Sequence, residues 1–127
     1  LDGRSQAPVI HGKASRIRDT VFLSYRKGQR AVRQGNWKLI RYPQVNYSQL
    51  FDLGQDPHEL RNLSGDPTQS RRVEEMMQLL ARQQAHWNDR LPLTSKQPRP
   101  AVTTAEFFRK APAKKKRKKK KAKKKAA

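Results

Sequence analysis

The sequence predicts an α+β fold: a small antiparallel sheet of about four strands packed by one long C-terminal helix, followed by a disordered basic tail. Three observations predict it. Residues 19–53 run in short apolar-polar alternations separated by turn residues, the period of half-buried strands. Residues 73–91 carry apolar side chains at helical spacing. Residues 111–127 are a low-complexity Lys/Ala run whose like charges repel and which has little apolar surface to bury.

The lead-in, Leu1 to Ala14, reads as extended, with a turn at Asp2-Gly3 and Pro8 breaking any helix. Arg16 to Arg18 is basic and exposed. Asp19 to Tyr25 is rich in β-branched and aromatic residues and makes the first strand, with Val21, Leu23 and Tyr25 on one face and Phe22 and Ser24 on the other. The turn Arg26-Lys27-Gly28-Gln29 follows, with Gly28 as its pivot. Arg30 to Arg33 begins the return strand, and Gly35-Asn36 signals a hairpin because both residues accept positive φ at little cost. In the next strand Trp37, Leu39 and Arg41 point one way and Lys38, Ile40 and Tyr42 the other, so neither face is purely polar. Pro43 stops that strand, and Ser48 to Leu53 supplies one more. Asp56 then reads as an N-cap, Pro57 as the first helical residue and Glu59 as the far member of a capping box, with Leu60 and Leu63 folding back on the sheet.

Ser64-Gly65 breaks the chain, and Asp66-Pro67 restarts it as a helix running to about Arg90. Val73, Met76, Met77, Leu80, Gln84, Trp87 and Leu91 form one stripe that should dock on a sheet face. Glu74 and Glu75 near its start, and Arg82 and Arg90 near its end, suit the helix dipole. Leu91-Pro92 ends the helix, and Pro92, Pro98 and Pro100 mark a linker that reaches residue 110.

A chain of 127 residues holds one domain at most, and with 34% hydrophobic and 31% charged residues its core is small. The formal charge of +20 is uneven. Residues 110–125 hold 12 of the 30 basic groups and no acid, leaving 18 basic and 10 acidic residues elsewhere. The absence of cysteine excludes disulfides and thiolate metal sites. No apolar run approaches the length of a membrane helix, and no signal peptide opens the chain, which starts at Leu1 as a fragment of a longer polypeptide would.

Two runs carry a family resemblance. Arg33-x-Gly35-x-Trp37-Lys38-Leu39-Ile40 and Leu50-Phe51-Asp52-Leu53-x-x-Asp56-Pro57-x-Glu59-x-x-Asn62-Leu63 resemble the C-terminal subdomain of type I sulfatases, of the arylsulfatase and N-sulfoglucosamine sulfohydrolase kind. Leu1-Asp2-Gly3-Arg4-Ser5, with Pro8 and Gly12, is similar to the segment joining that family's catalytic domain to this subdomain. The likeness covers roughly residues 1 to 90. It implies four parts: a lead-in from an upstream catalytic domain over 1–18, the sheet-and-helix subdomain over 19–91, a linker over 92–110 and the Lys-rich tail over 111–127.

By the same resemblance the nucleophile, in a C/S-x-P-x-R motif, and a calcium held by carboxylates belong to the missing catalytic domain. Around a dianionic transition state a metal and cations are what chemistry requires. This chain has no such motif. His11, His58 and His86 lack metal-ligand spacing, and a capped turn accounts for Asp52, Asp56 and Glu59. The chain alone is therefore expected to be inactive, with no catalytic residue, metal ligand or cofactor of its own. The resemblance places Arg26, Lys27, Gln29 and Arg30 nearest the substrate cleft, where an arginine fork suits a sulfated or carboxylated sugar. An exported sulfatase would put the chain in the periplasm or outside the cell.

The alternative is a stand-alone polyanion-binding protein. Lys114, Lys115, Lys116, Arg117, Lys118, Lys119, Lys120, Lys121, Lys123, Lys124 and Lys125 would hold nucleic acid or a sulfated polysaccharide by counterion release. No aromatics interleave these cations, which counts against sequence-specific nucleic-acid recognition.

Overall fold

The computed structural model describes residues 3–100. In chain order it contains a short helix α1 (Ala7–Ile10), strands β1 (Thr20–Tyr25), β2 (Gln29–Gln34), β3 (Trp37–Tyr42) and β4 (Tyr47–Asp52), and a long helix α2 (Ser70–His86). The strands pair antiparallel in sequence order, each with the next. This is the α+β architecture that the sequence predicts.

The two hairpins solve their turns differently. Gln34 pairs with Trp37 across Gly35-Asn36, and Gly35 takes a φ of 58°, as the first central residue of a type II′ turn requires. In the β1–β2 turn the Gly28 N–H donates to the Tyr25 carbonyl at 3.1 Å. The left-handed residue there is Arg26, with a φ of 48°, and not the expected pivot Gly28. A side chain in that region costs on the order of 1 kcal/mol. The Arg30 guanidinium offsets part of it by donating to the Arg26 carbonyl at 2.6 Å.

Strand alternation divides the apolar residues between the two faces. Val32, Leu39 and Leu50 point to one face and pack with Met76, Leu79 and Leu80 of α2, with Phe22, Trp37, Leu63, Val73, Met77 and Leu93 around them. The other face carries a smaller cluster of Ala31, Ile40 and Phe51, bordered by Tyr42 and Leu53. Asp66 caps the start of the helical segment, accepting from the Thr68 N–H at 2.9 Å. Leu79, outside the predicted stripe, is buried, while Trp87 at its end is 38% exposed. The helix stops at His86 and not near Arg90, because Asn88 turns left-handed with a φ of 53°.

The segments flanking α2 are bound to the sheet. Residues 57–63 hold a turn at 57–58 and then irregular chain, instead of the predicted helix start. Asp56 still acts as a cap, accepting from Leu60 N–H at 3.0 Å and Arg61 N–H at 2.8 Å. Glu59 takes a φ of 56° and pairs with Lys38 at 2.6 Å instead of closing a capping box. Leu63 folds back as expected, but Leu60 is 85% exposed. The outer edge of β4 is covered: Leu63 N–H donates to Leu50 O at 2.8 Å, Leu50 N–H to Asn62 Oδ1 at 3.0 Å and Ser64 Oγ to Ser48 O at 2.8 Å. Residues 92–99, read from the sequence as linker, are anchored too. Arg41 Nε donates to Leu93 O at 2.8 Å, Asn46 and Ser95 exchange bonds at 2.9 and 2.8 Å, and Arg99 N–H reaches Gln44 O at 2.8 Å. The Lys/Ala run 111–127 lies outside the described residues.

Candidate functional site

Three segments meet at one end of the sheet: the β1–β2 turn, the Pro43–Val45 connection between β3 and β4, and the chain just after α2. Between them lies a groove of about 440 Å³ lined by Lys27, Pro43, Gln44, Leu91, Pro92, Thr94, Ser95 and Lys96. Pro43, Leu91 and Pro92 supply its apolar lining, and Lys27 and Lys96 its two cations.

Of the four residues that the resemblance places near a cleft, Arg26 and Lys27 are exposed, Gln29 is half-buried and Arg30 is buried. Arg30 is spent inside the fold. Its Nε and Nη2 engage both oxygens of Asp89, the second contact at 3.1 Å. Its Nη1 donates to the carbonyls of Arg26 at 2.6 Å and Gln29 at 2.9 Å. One guanidinium thus ties the turn to the chain leaving α2, and Gln44 Nε2 reaches Lys27 O at 3.4 Å. The turn is solvent-facing yet braced on both sides.

Asp89 is the counter-ion of this brace. The hydrogen bond from Arg30 holds its carboxyl down at about 2, with Gln84, the Leu91 N–H and the Arg30 charge adding to it against the opposing cost of burial. Because Asp89 is neutralised by Arg30, the ammonium groups of Lys27 and Lys96 line the groove without an acid among its lining residues, while Arg26 lies over the Tyr25 ring. The arrangement suits an oxyanion: two ammonium donors beside a partly apolar surface.

The remaining polar groups serve the fold. Asp52 accepts from Gly54 N–H at 3.0 Å, Asp56 caps its turn and Glu59 pairs with Lys38. Among the described residues no three His, Asp or Glu side chains gather. No described helix is long and apolar enough to cross a membrane. The candidates Lys114 to Lys125 lie outside the described residues. Sequence reasoning did not find Gln44, Asp89 or Lys96, because each joins the site through a contact distant in sequence.

Residues 1–86 match the model of a protein family described as N-sulphoglucosamine sulphohydrolase, C-terminal. Over 59 residues, 43% of the chain, the sequence is 42% identical to an uncharacterised sulfatase of Schizosaccharomyces pombe, and this covers 10% of that protein. The fold resembles a Bacteroides thetaiotaomicron protein described as a sulfatase, with a TM-score of 0.61 and 29% identity over 69% of this chain and 21% of that one. It also resembles a 2-O GAG sulfatase, with a TM-score of 0.60 and 28% identity over 69% and 21% of the two chains. The chain thus spans about a fifth of the length of these structures and a tenth of the yeast protein.

Proposed function

Because the chain belongs to the N-sulphoglucosamine sulphohydrolase C-terminal family, and its sheet and helix form a sulfatase C-terminal domain, we propose that it supports an upstream catalytic domain and walls one side of the substrate cleft. The wall is the end of the sheet that bears Arg26, Lys27 and Gln29, with Arg30 as the brace behind them. The nucleophile and calcium belong to the catalytic domain, and the carboxylates of this chain serve its own turns. The substrate class is a sulfated or carboxylated sugar, whose oxyanions the cations of the turn would hold.

One observation carries the reading. An exposed cationic turn is held in place by a buried arginine that bonds two of the turn's carbonyls and an aspartate 59 residues away. A turn that only reversed the chain would not need such bracing. A braced turn presents its cations with less ordering to do on binding.

The test is steady-state kinetics of the sulfatase polypeptide that carries this chain. Arg26→Ala or Lys27→Ala should raise KM for a sulfated sugar by about tenfold, the loss of one charge-assisted contact, with kcat and Tm unchanged. An unchanged KM would sink the cleft-wall role. The isolated chain should not hydrolyse an aryl sulfate.

A further inference from the structure

The face of the sheet opposite α2 carries a pattern that the cleft-wall role does not use. The register sets Tyr25 opposite Gln29 and Tyr42 opposite Tyr47. One step beyond the Arg30–Arg41 pair, the same register brings Gln29 beside Tyr42. Four side chains therefore form a row straight across all four strands, spanning about 14 Å at the usual strand spacing. The row lies at the end of the sheet that holds the Arg26–Gly28 turn. Tyr25 is 62% and Tyr47 42% exposed.

The rings are held in place. Tyr42 and Tyr47 lie 6.0 Å apart at 32°. The Tyr42 hydroxyl donates to Gln49 at 3.0 Å, and the Tyr47 hydroxyl accepts from Asn62 at 2.9 Å. Arg26 sits 5.7 Å above the Tyr25 ring, so a cation closes the row at its outer end. Strand preference explains a tyrosine in a strand. It does not explain three of them in one cross-strand row, two well exposed, at the cationic end of the sheet.

The geometry points to a second binding surface, continuous with the braced turn: Tyr25, Gln29, Tyr42 and Tyr47 form a platform for the ring faces of an anionic saccharide whose oxyanions reach Arg26 and Lys27. Aromatic faces pack against the C–H faces of sugar rings, while the tyrosine hydroxyls and the Gln29 amide meet the sugar's own hydroxyls. The class of ligand rests on the proposed function; the location and the tyrosines do not. The row is long enough for more than one sugar ring, so the platform favours an oligosaccharide over a monosaccharide.

The test is an NMR titration of the full 127-residue chain with a heparin-derived sulfated tetrasaccharide, following tyrosine rings and backbone amides. The ring signals of Tyr25 and Tyr47 should shift saturably. Tyr25→Leu or Tyr47→Leu should weaken binding read at the remaining rings by about tenfold, the upper range for one aromatic partner. Leu23→Ala, one row away, should leave it unchanged. The desulfated tetrasaccharide should move the same rings at higher concentration. Shifts at Lys27 and Lys96 without the rings would overturn the platform and leave the cleft wall standing. Shifts confined to residues 114–125 would overturn both. Ring broadening that grows with protein concentration would mark a protein contact surface and overturn the platform. The wild-type ring shifts decide the matter even where a variant misfolds.

Discussion

The two faces of the sheet do different work. On the helix face Val32, Leu39, Leu50 and Leu80 are wholly buried, and α2 and Leu93 close the layer. On the other face only Ala31, Ile40 and Phe51 are buried, while Leu23, Tyr25 and Tyr47 remain exposed. Stability is concentrated on the first face, where the larger apolar cluster is buried. Within this chain the second face is left largely open. The lesson is that alternation along a strand supplies two faces at once, and what covers each decides whether its side chains are core or contact.

Substitutions on the two faces test this division. Leu39→Ala or Leu80→Ala should lower unfolding free energy by about 3 kcal/mol, the transfer loss plus a cavity. Leu23→Ala should cost under about 0.5 kcal/mol. Urea midpoints measure both, and equal losses would mean that the second face is closed as well.

The brace beneath the turn comes next. Arg30→Met leaves the Asp89 carboxylate half-buried without its counter-ion and should cost about 2–3 kcal/mol. Arg30→Met with Asp89→Leu should recover most of that. A double variant as unstable as the single one would show that the guanidinium acts through the Arg26 and Gln29 carbonyls instead.

The same pair predicts a pH dependence. Asp89 falls from 3.8 to about 2 on folding, so its contribution is present above pH 3.8 and is lost as pH drops towards 2. At most about 2 kcal/mol is involved, at about 1.4 kcal/mol per pH unit. The 17% exposure of its side chain makes only a small discount. Thermal melts between pH 5 and 2 should show the loss, and Asp89→Asn should flatten it.

A smaller effect than the loss of the brace belongs to the ion pair of the second face. Lys38 and Glu59 are 21% and 31% exposed, so Lys38→Met should cost about 0.5–1 kcal/mol, less at high salt. A salt-independent loss larger than that would make the 53–61 loop a structural cover and not an accessory.

Much of the fold was legible along the chain. The alternation of Trp37 to Tyr42, the Gly35-Asn36 turn, the Asp66-Pro67 start and the Met76-Leu80-Gln84 stripe are local signals, and each forms the element expected of it. Glu59 and Leu60 were misplaced because a cap followed by an apolar residue fits a helix start as well as an isolated turn. Here the pull of Lys38 at 2.6 Å and the left-handed φ of Glu59 accompany the turn. Trp87 left the core because a left-handed Asn88 ended the helix early, a residue type that accepts positive φ but that the apolar spacing through Leu91 overrode in the sequence reading. Within the candidate site, Arg26, Lys27 and Gln29 were named from a resemblance, while the role of Arg30 as brace needed Asp89 in place.

Sequence alone determined the four strands, the long helix and which strand side chains share a face, since these follow from periods of two and 3.6 residues and from turn chemistry. Tertiary structure alone decided which face α2 covers, that residues 92–99 are anchored, and that Arg30 turns inward to Asp89. Those outcomes depend on side chains tens of residues apart meeting at hydrogen-bond distance, and pairwise distance in space is not written in spacing along the chain.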